Sequence, residues 1–294
     1  MRSQQPQYRG NRKVRLGARA GLLILALLVG LGSTKSVLGA PSFGYPWPDY
    51  SVLPILFSPT DWQVDDAAVR AQADALGVAM LEIQEFYRQS LDGRTFRLNP
   101  LEVVQGWGPK EEYGIHWNGG NIYTDGIDIE SNLEHAVVSE LHARGYPTPP
   151  AQNESGYSVI IFVKGAGGWA GGRELGAADG GWAILGDWCV DSISGLVPEG
   201  DYWWSGRRLQ LGAAAHELGH TFGLPHPDAY HGEWSTTVMG HWWDYPNVGF
   251  NSWEIDYLLA NKAAFLTPEP ASWLLVLSAV PVLVSRLKRR GRGQ

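Results

Sequence analysis

The chain has 294 residues, of which 23 are Lys or Arg and 30 are Asp or Glu, for a formal net charge of −7. The first forty residues hold seven of the bases and no acid, and the last 28 hold five bases and one acid, which leaves residues 41–266 with 11 bases against 29 acids. That balance argues against nucleic acid as a partner, because phosphate binding needs the opposite sign, and the single cysteine, Cys189, excludes an internal disulfide.

The N-terminal forty residues run from a basic stretch through an apolar run, Gly21 to Leu31, to small and polar residues ending at Ala40. This is the order of a secretory signal peptide. A membrane anchor is the alternative, but the run is short for about 30 Å of hydrocarbon. Leu38 is bulky for a residue near the cut, and Pro41 follows it. A catalytic or binding domain is then expected over residues 41–266, long enough to supply a core without disulfides.

Ser51 to Phe57 predicts a short strand. Thr60 or Asp61 could cap the helix that follows, with Asp65 and Asp66 in its first turn, where the helix dipole favours negative charge. Val69, Ala73, Leu76, Met80, Ile83 and Tyr87 recur at spacings of four and three, the apolar stripe of a long helix. "RTFRLNPLEVVQGW" after Gly93 predicts a strand region, and residues 107–128 predict loop. Within that loop Asp125, Asp128 and Glu130 could hold calcium, although solvated loop acids are the plainer reading. Ser131 and Glu134 form a capping-box pattern opening a second helix, which Gly145 ends. His135 and His142 on that helix read as surface residues.

"VIIFV", Val159 to Val163, predicts a strand buried on both faces. A glycine-rich stretch follows it. "WAILGDWCV" then predicts another strand, Leu209 to Phe222 an Ala/Leu-rich helix, and Trp253 to Phe265 a last helix. No internal repeat occurs.

The stretch "AAAHELGHTFGLPHPD", Ala213 to Asp228, carries the chemistry. His216 and His220 are four residues apart, so on a helix they share a face one turn apart and can share one ion. Glu217 can reach a water bound to that ion. Gly223 can take a left-handed conformation, end the helix and turn the chain back, so that His226 arrives as a third nitrogen ligand. Three protein ligands leave a fourth tetrahedral position for water, the arrangement of a catalytic zinc. The spacing of the two histidines and the glutamate alone is only suggestive; the glycine and the third histidine at fixed offsets make it specific.

These residues resemble the metzincin family of zinc metalloproteases, whose motif H-E-x-x-H-x-x-G-x-x-H is matched by His216, Glu217, His220, Gly223 and His226. The family also has a methionine in a tight turn beneath the zinc, matched here by Met239 in "STTVMGHWW". The resemblance implies an α/β fold of α+β type, with a twisted mixed sheet and long helices in the N-terminal half and a small C-terminal part ending in a helix. It implies zinc as cofactor, Glu217 as general base, and a protein or peptide substrate lying along a sheet edge, for which "GGWAILGDW", Gly180 to Trp188, is the candidate; one more core strand is the alternative. Astacins and serralysins have a tyrosine two residues after the methionine, where this chain has His241. His241 could take that catalytic role or be a structural histidine, and Tyr245 is a further candidate. Trp234, Trp242 and Trp243 could line a substrate pocket. Cys189 lies too far along the chain for the propeptide cysteine that keeps some zinc proteases latent.

The last segment, residues 267–294, reads "TPEPASWLLVLSAVPVLVSRLKRRGRGQ": Pro268, Glu269 and Pro270, an apolar stretch, and a basic tail that favours the cytoplasmic side. It resembles the PEP-CTERM sorting signal of Gram-negative bacteria, which implies an exosortase-like partner, membrane contact through this segment, and a final place in the envelope or outside the cell. A plain tail anchor is the alternative. Two other functions remain open from sequence: a non-catalytic envelope or matrix binding protein on the same scaffold, and a zinc amidase acting on a non-protein amide.

Overall fold

The structure, a computed structural model, describes residues 50–115, 129–148, 156–174, 180–201, 205–227 and 236–265. The expected signal peptide, the sorting segment with Pro268, Glu269 and Pro270, the loop acids Asp125 and Asp128, the Glu130 side chain, and Trp234 lie outside the described residues. Among the described residues no helix is long and apolar enough to cross a membrane.

Strand β1, Ser51–Ser58, and strand β4, Ser158–Val163, form the centre of the sheet, and every residue of both is buried. They pair in parallel from Val52 opposite Ser158 to Phe57 opposite Val163. Continuous apolar runs suit strands covered on both faces. The segment after Gly93 gives two short pieces, β2 at Arg97–Leu98 and β3 at Glu102–Gln105, both parallel to β1. Between them Asn99 donates its side-chain amide to the Val52 carbonyl at 2.9 Å and to Ser51 at 2.8 Å. On the other side of β4 lies β6, Gly181–Leu185, again parallel. The last strand, β5 at Ala170–Glu174, pairs antiparallel with β6 and ends the sheet. The result is the mixed α/β fold expected from the sequence.

Successive residues of the central strands point to opposite faces. Val52, Leu56, Ile160 and Phe162 face a core built with helix α1, Ala67–Ser90, and helix α4, Arg207–Thr221. Leu53, Ile55, Val159 and Ile161 face helix α2, Ile129–Ala143, through Leu133, Val137 and Leu141. The predicted stripe of α1 is buried from Val69 to Tyr87. On α2, His135 and His142 are exposed, as read. The C-terminal part holds a short helix α5, Val238–His241, and helix α6, Ser252–Asn261.

Several local expectations change. Helix α1 begins at Ala67, so Asp65 and Asp66 precede its first turn and neither Thr60 nor Asp61 caps it. Asp61 instead accepts the Lys110 backbone N–H at 2.7 Å, tying down the next loop. Helix α2 begins at Ile129, which puts Ser131 inside it rather than at its cap. Glu134, the other half of that expected box, pairs with Arg173 on β5 at 2.8 Å. The strand predicted through "WAILGDWCV" stops at Leu185; Asp187–Ile193 is helix α3, whose first turn holds Asp187. Strand β6 is also paired on both sides, so among the described residues the sheet edge on this side is β5, in the glycine-rich stretch, and not Gly180 to Trp188.

Candidate metal centre

Helix α4 lies against β5 and β6 and carries His216, Glu217 and His220. The contact with β5 is close. A Cβ at Gly172 would run into the backbone oxygen of Glu217 and come within 2.9 Å of the His220 Cβ. A glycine in a strand often marks such a backbone approach. Met239 is fully buried and sets its thioether against Gly219 on the same helix.

The end of α4 is a Schellman turn. The Gly223 N–H bonds the His220 carbonyl at 2.9 Å, and the Leu224 N–H bonds the Gly219 carbonyl at 3.1 Å. Gly223 has φ of 84°, the left-handed conformation its position demands. The chain reverses there, and His226 returns over the two helical histidines.

The three imidazoles meet tip to tip. The Nε2 atoms of His216 and His220 are 3.1 Å apart, those of His220 and His226 3.1 Å, and those of His216 and His226 3.2 Å. Among the described residues these three form the group of side chains able to share one ion. They run from buried His216 to exposed His226, so one side of the site is open to solvent.

Their tautomers follow from their outer nitrogens. The Nδ1 of His216 lies 3.0 Å from the Val238 carbonyl, and that of His220 lies 2.7 Å from the Leu224 carbonyl. A carbonyl only accepts, so each Nδ1 carries the proton and each Nε2 turns a bare lone pair inward. Two bare lone pairs 3.1 Å apart repel; a cation between them resolves that. Burial and the neighbouring rings favour the same neutral forms: burial first, then His220, hold His216 down to about 3, and burial holds His220 to about 4. Tetrahedral zinc with nitrogen at 2.0–2.1 Å would separate its ligands by about 3.3 Å. The donor set therefore fits zinc.

Glu217 is buried, and desolvation pushes its carboxyl up to about 8. A hydrogen bond from the Gly172 N–H works the other way, and the charge of Glu134 raises the value further. A carboxyl that can hold or release a proton near neutral pH is suited to proton transfer.

The other candidates lie elsewhere. The His241 ring stacks on Trp243 with centroids 4.8 Å apart, and its Nδ1 is 3.6 Å from Asp244. It stands outside the group able to share an ion. Tyr245 is buried against Phe86 at 4.9 Å and feels the charges of Glu82 and Arg207, at the opposite end of α4 from the histidines. Trp242 packs on the core and Trp243 is exposed. Cys189 is buried, and desolvation pushes its thiol up, as suits a structural residue.

Sequence reasoning missed the supports: the Gly172 N–H, the Val238 and Leu224 carbonyls, and Tyr87, whose hydroxyl donates to the Ala215 carbonyl at 3.0 Å beside His216. Only the Gly171–Gly172 doublet gave a sequence sign of one of them.

No family model matches the sequence, and no curated protein does. Among solved structures the chain is similar to OgpA from Akkermansia muciniphila, at 16% identity and a TM-score of 0.44, over 80% of this chain and 66% of OgpA. A catalytically inactive OgpA is known in complex with an O-glycopeptide substrate. Archaemetzincin from Methanopyrus kandleri is similar at 17% identity and 0.30, over 71% of this chain and 88% of that one. Metalloproteinase-II from Bacteroides fragilis is similar at 13% and 0.34, over 80% and 60%. The chain thus spans 66% of the length of OgpA. These likenesses are distant, and the chemistry of the site follows from its own geometry.

Proposed function

We propose that the chain is an exported zinc-dependent endopeptidase, with His216, His220 and His226 as the metal ligands and Glu217 as general base. The observation that carries this reading is the triangle of three imidazole nitrogens, 3.1 to 3.2 Å on a side, with the buried Glu217 on the same helix.

His216, His220 and His226 would hold a zinc ion, which would supply Lewis acidity and make a bound water more acidic. Glu217 takes the proton as the water oxygen adds to the scissile carbonyl carbon. It then returns that proton to the amide nitrogen as the C–N bond breaks, leaving an acid and an amine for one water consumed. The Gly172 N–H orients the Glu217 carboxylate for both transfers. The outer edge of β5 is the place for the substrate backbone, because an extended peptide can add there as a strand next to Glu217. Calcium has no part in this mechanism, and the proposal does not rest on His241.

The two chain ends supply the rest. A signal peptide at residues 1–40 would export the chain, and a sorting segment at 267–294 would bring it to an exosortase-like enzyme at the membrane. Mass spectrometry of the cell-associated and secreted protein reads both ends directly; a retained N-terminal forty residues would replace the signal peptide with an anchor, and a chain found only in the cytoplasm would remove the export reading.

A peptide library digested with and without a chelator tests the activity. New amide-bond cleavage that stops with the chelator and returns with zinc supports the endopeptidase. Cleavage confined to a non-protein amide would make it an amidase. Zinc bound with no cleavage of either would leave a binding protein.

A further inference from the structure

A charged pair packs against the turn that carries His226. Glu174 is the last residue of β5 and Lys262 follows α6, 88 residues later. The Lys262 ammonium donates to the Glu174 carboxylate, and its side chain is only 4% exposed. A lysine buried that far needs its partner. The Glu174 carboxylate in turn lies against Gly223, where a Cβ would run into both of its oxygens.

The chain reverses at Gly223, whose φ of 84° is left-handed. It separates His220 from Leu224, whose carbonyl takes the His220 Nδ1 hydrogen, and His226 stands two residues further on. Glu174 therefore packs on the hinge between the second and third ligands, and Lys262, from the end of α6, holds the Glu174 carboxylate.

We propose that the Glu174–Lys262 ion pair is a positioning device for the metal site. It pins the Gly223 turn before an ion arrives, so that His226 and the Leu224 carbonyl need not be ordered on binding. Ordering deferred to the binding step is subtracted from affinity. This inference rests on the zinc reading above. The plainer alternative is that the pair only staples α6 to the sheet.

Affinity and stability separate the two. The full chain is prepared metal-free, its zinc affinity read by competition with a chromophoric chelator, and its cobalt(II) form read by visible absorption, which reports ligand geometry. The variants are Glu174→Gln and Lys262→Met. The control is Lys164→Met, which breaks another buried lysine cluster, with Asp187 at 3.1 Å and Asp191 at 3.4 Å. The expected result is zinc affinity at least tenfold weaker and altered cobalt bands in both pair variants, with the control within twofold of the parent. Pair variants that fold and bind zinc like the parent would overturn the inference, as would a control that loses as much affinity. If Lys262→Met does not fold, Glu174→Gln, which keeps the shape of the side chain, decides alone. A parent chain that binds no zinc would instead remove the endopeptidase reading, and the inference with it.

Discussion

His216 and Val238 are 22 residues apart in sequence, and the Nδ1 of one lies 3.0 Å from the carbonyl of the other. That bond fixes which nitrogen of His216 faces His220 and His226. No side-chain change at Val238 can remove it, but its supports can be removed. The Thr237 hydroxyl donates to Glu254 at 3.0 Å, and Glu254, wholly buried, also accepts the Asn251 N–H at 2.8 Å in the capping box that starts α6. The outer partners of metal ligands commonly set about 10–100-fold in affinity. Thr237→Val is expected to weaken zinc by about that range, read by chelator competition; unchanged affinity in a folded variant would mean that the carbonyl needs no such support.

Glu217→Gln separates binding from chemistry. The amide nearly keeps the volume of the acid and stays next to Gly172 but cannot take a proton. General acid–base groups contribute about 10²–10⁴-fold, so kcat on a cleaved peptide should fall by at least about a hundredfold. Zinc content should remain that of the parent, because the three imidazoles are untouched. A variant that cleaves as fast as the parent ends the general-base assignment.

The legible part of this chain was the part with a short-range period. The α1 stripe, the continuous apolar runs of β1 and β4 and the spacing of His216, Glu217, His220, Gly223 and His226 are all set by neighbours within a few turns. The edge strand was not legible. "AGGRE" has neither alternation nor bulk: Gly172 answers the close approach of α4, while Gly171 faces Trp169 and Glu134 on the other side. Helix caps misled for a similar reason: Asp61 and Glu134 had local patterns, but distant partners, the Lys110 N–H and Arg173, claim them. The Val238 and Leu224 carbonyls carry no side-chain signature at all.

Metal-free protein should be most stable near pH 6.5. Burial lowers His216 to about 3 and His220 to about 4 from 6.5, so the folded chain binds fewer protons at these sites than the unfolded one. Their contribution is complete above pH 6.5 and is lost as pH falls from there. Glu217, raised from 4.5 to about 8, acts oppositely: its contribution is complete below pH 4.5 and is lost as pH rises to 8. From pH 8 down to 6.5 Glu217 is the one of these three groups that changes, and its contribution to stability should rise, by about 1.4 kcal/mol per pH unit at most. From pH 6.5 to 4.5 two histidines outweigh one glutamate and stability should fall. Thermal melts of chelated parent and Glu217→Gln check this: the rise between pH 8 and 6.5 should be missing from the variant.

Gly172→Ala tests whether the edge strand and helix α4 must touch. The added methyl meets the Glu217 backbone oxygen and the His220 Cβ at once, and neither is the free end of a flexible side chain. Relief requires β5 to move off α4. Overpacking of this kind costs about 1–3 kcal/mol, so the melting temperature should drop. The same movement lengthens the Gly172 N–H bond to Glu217, and that bond is what holds the carboxyl below the value burial alone would give. The Glu217 carboxyl should therefore titrate higher, and the acid limb of the pH profile of kcat/KM should shift to higher pH. A variant that melts lower but keeps the parent profile would leave Gly172 a packing residue and take the Gly172 N–H out of the mechanism.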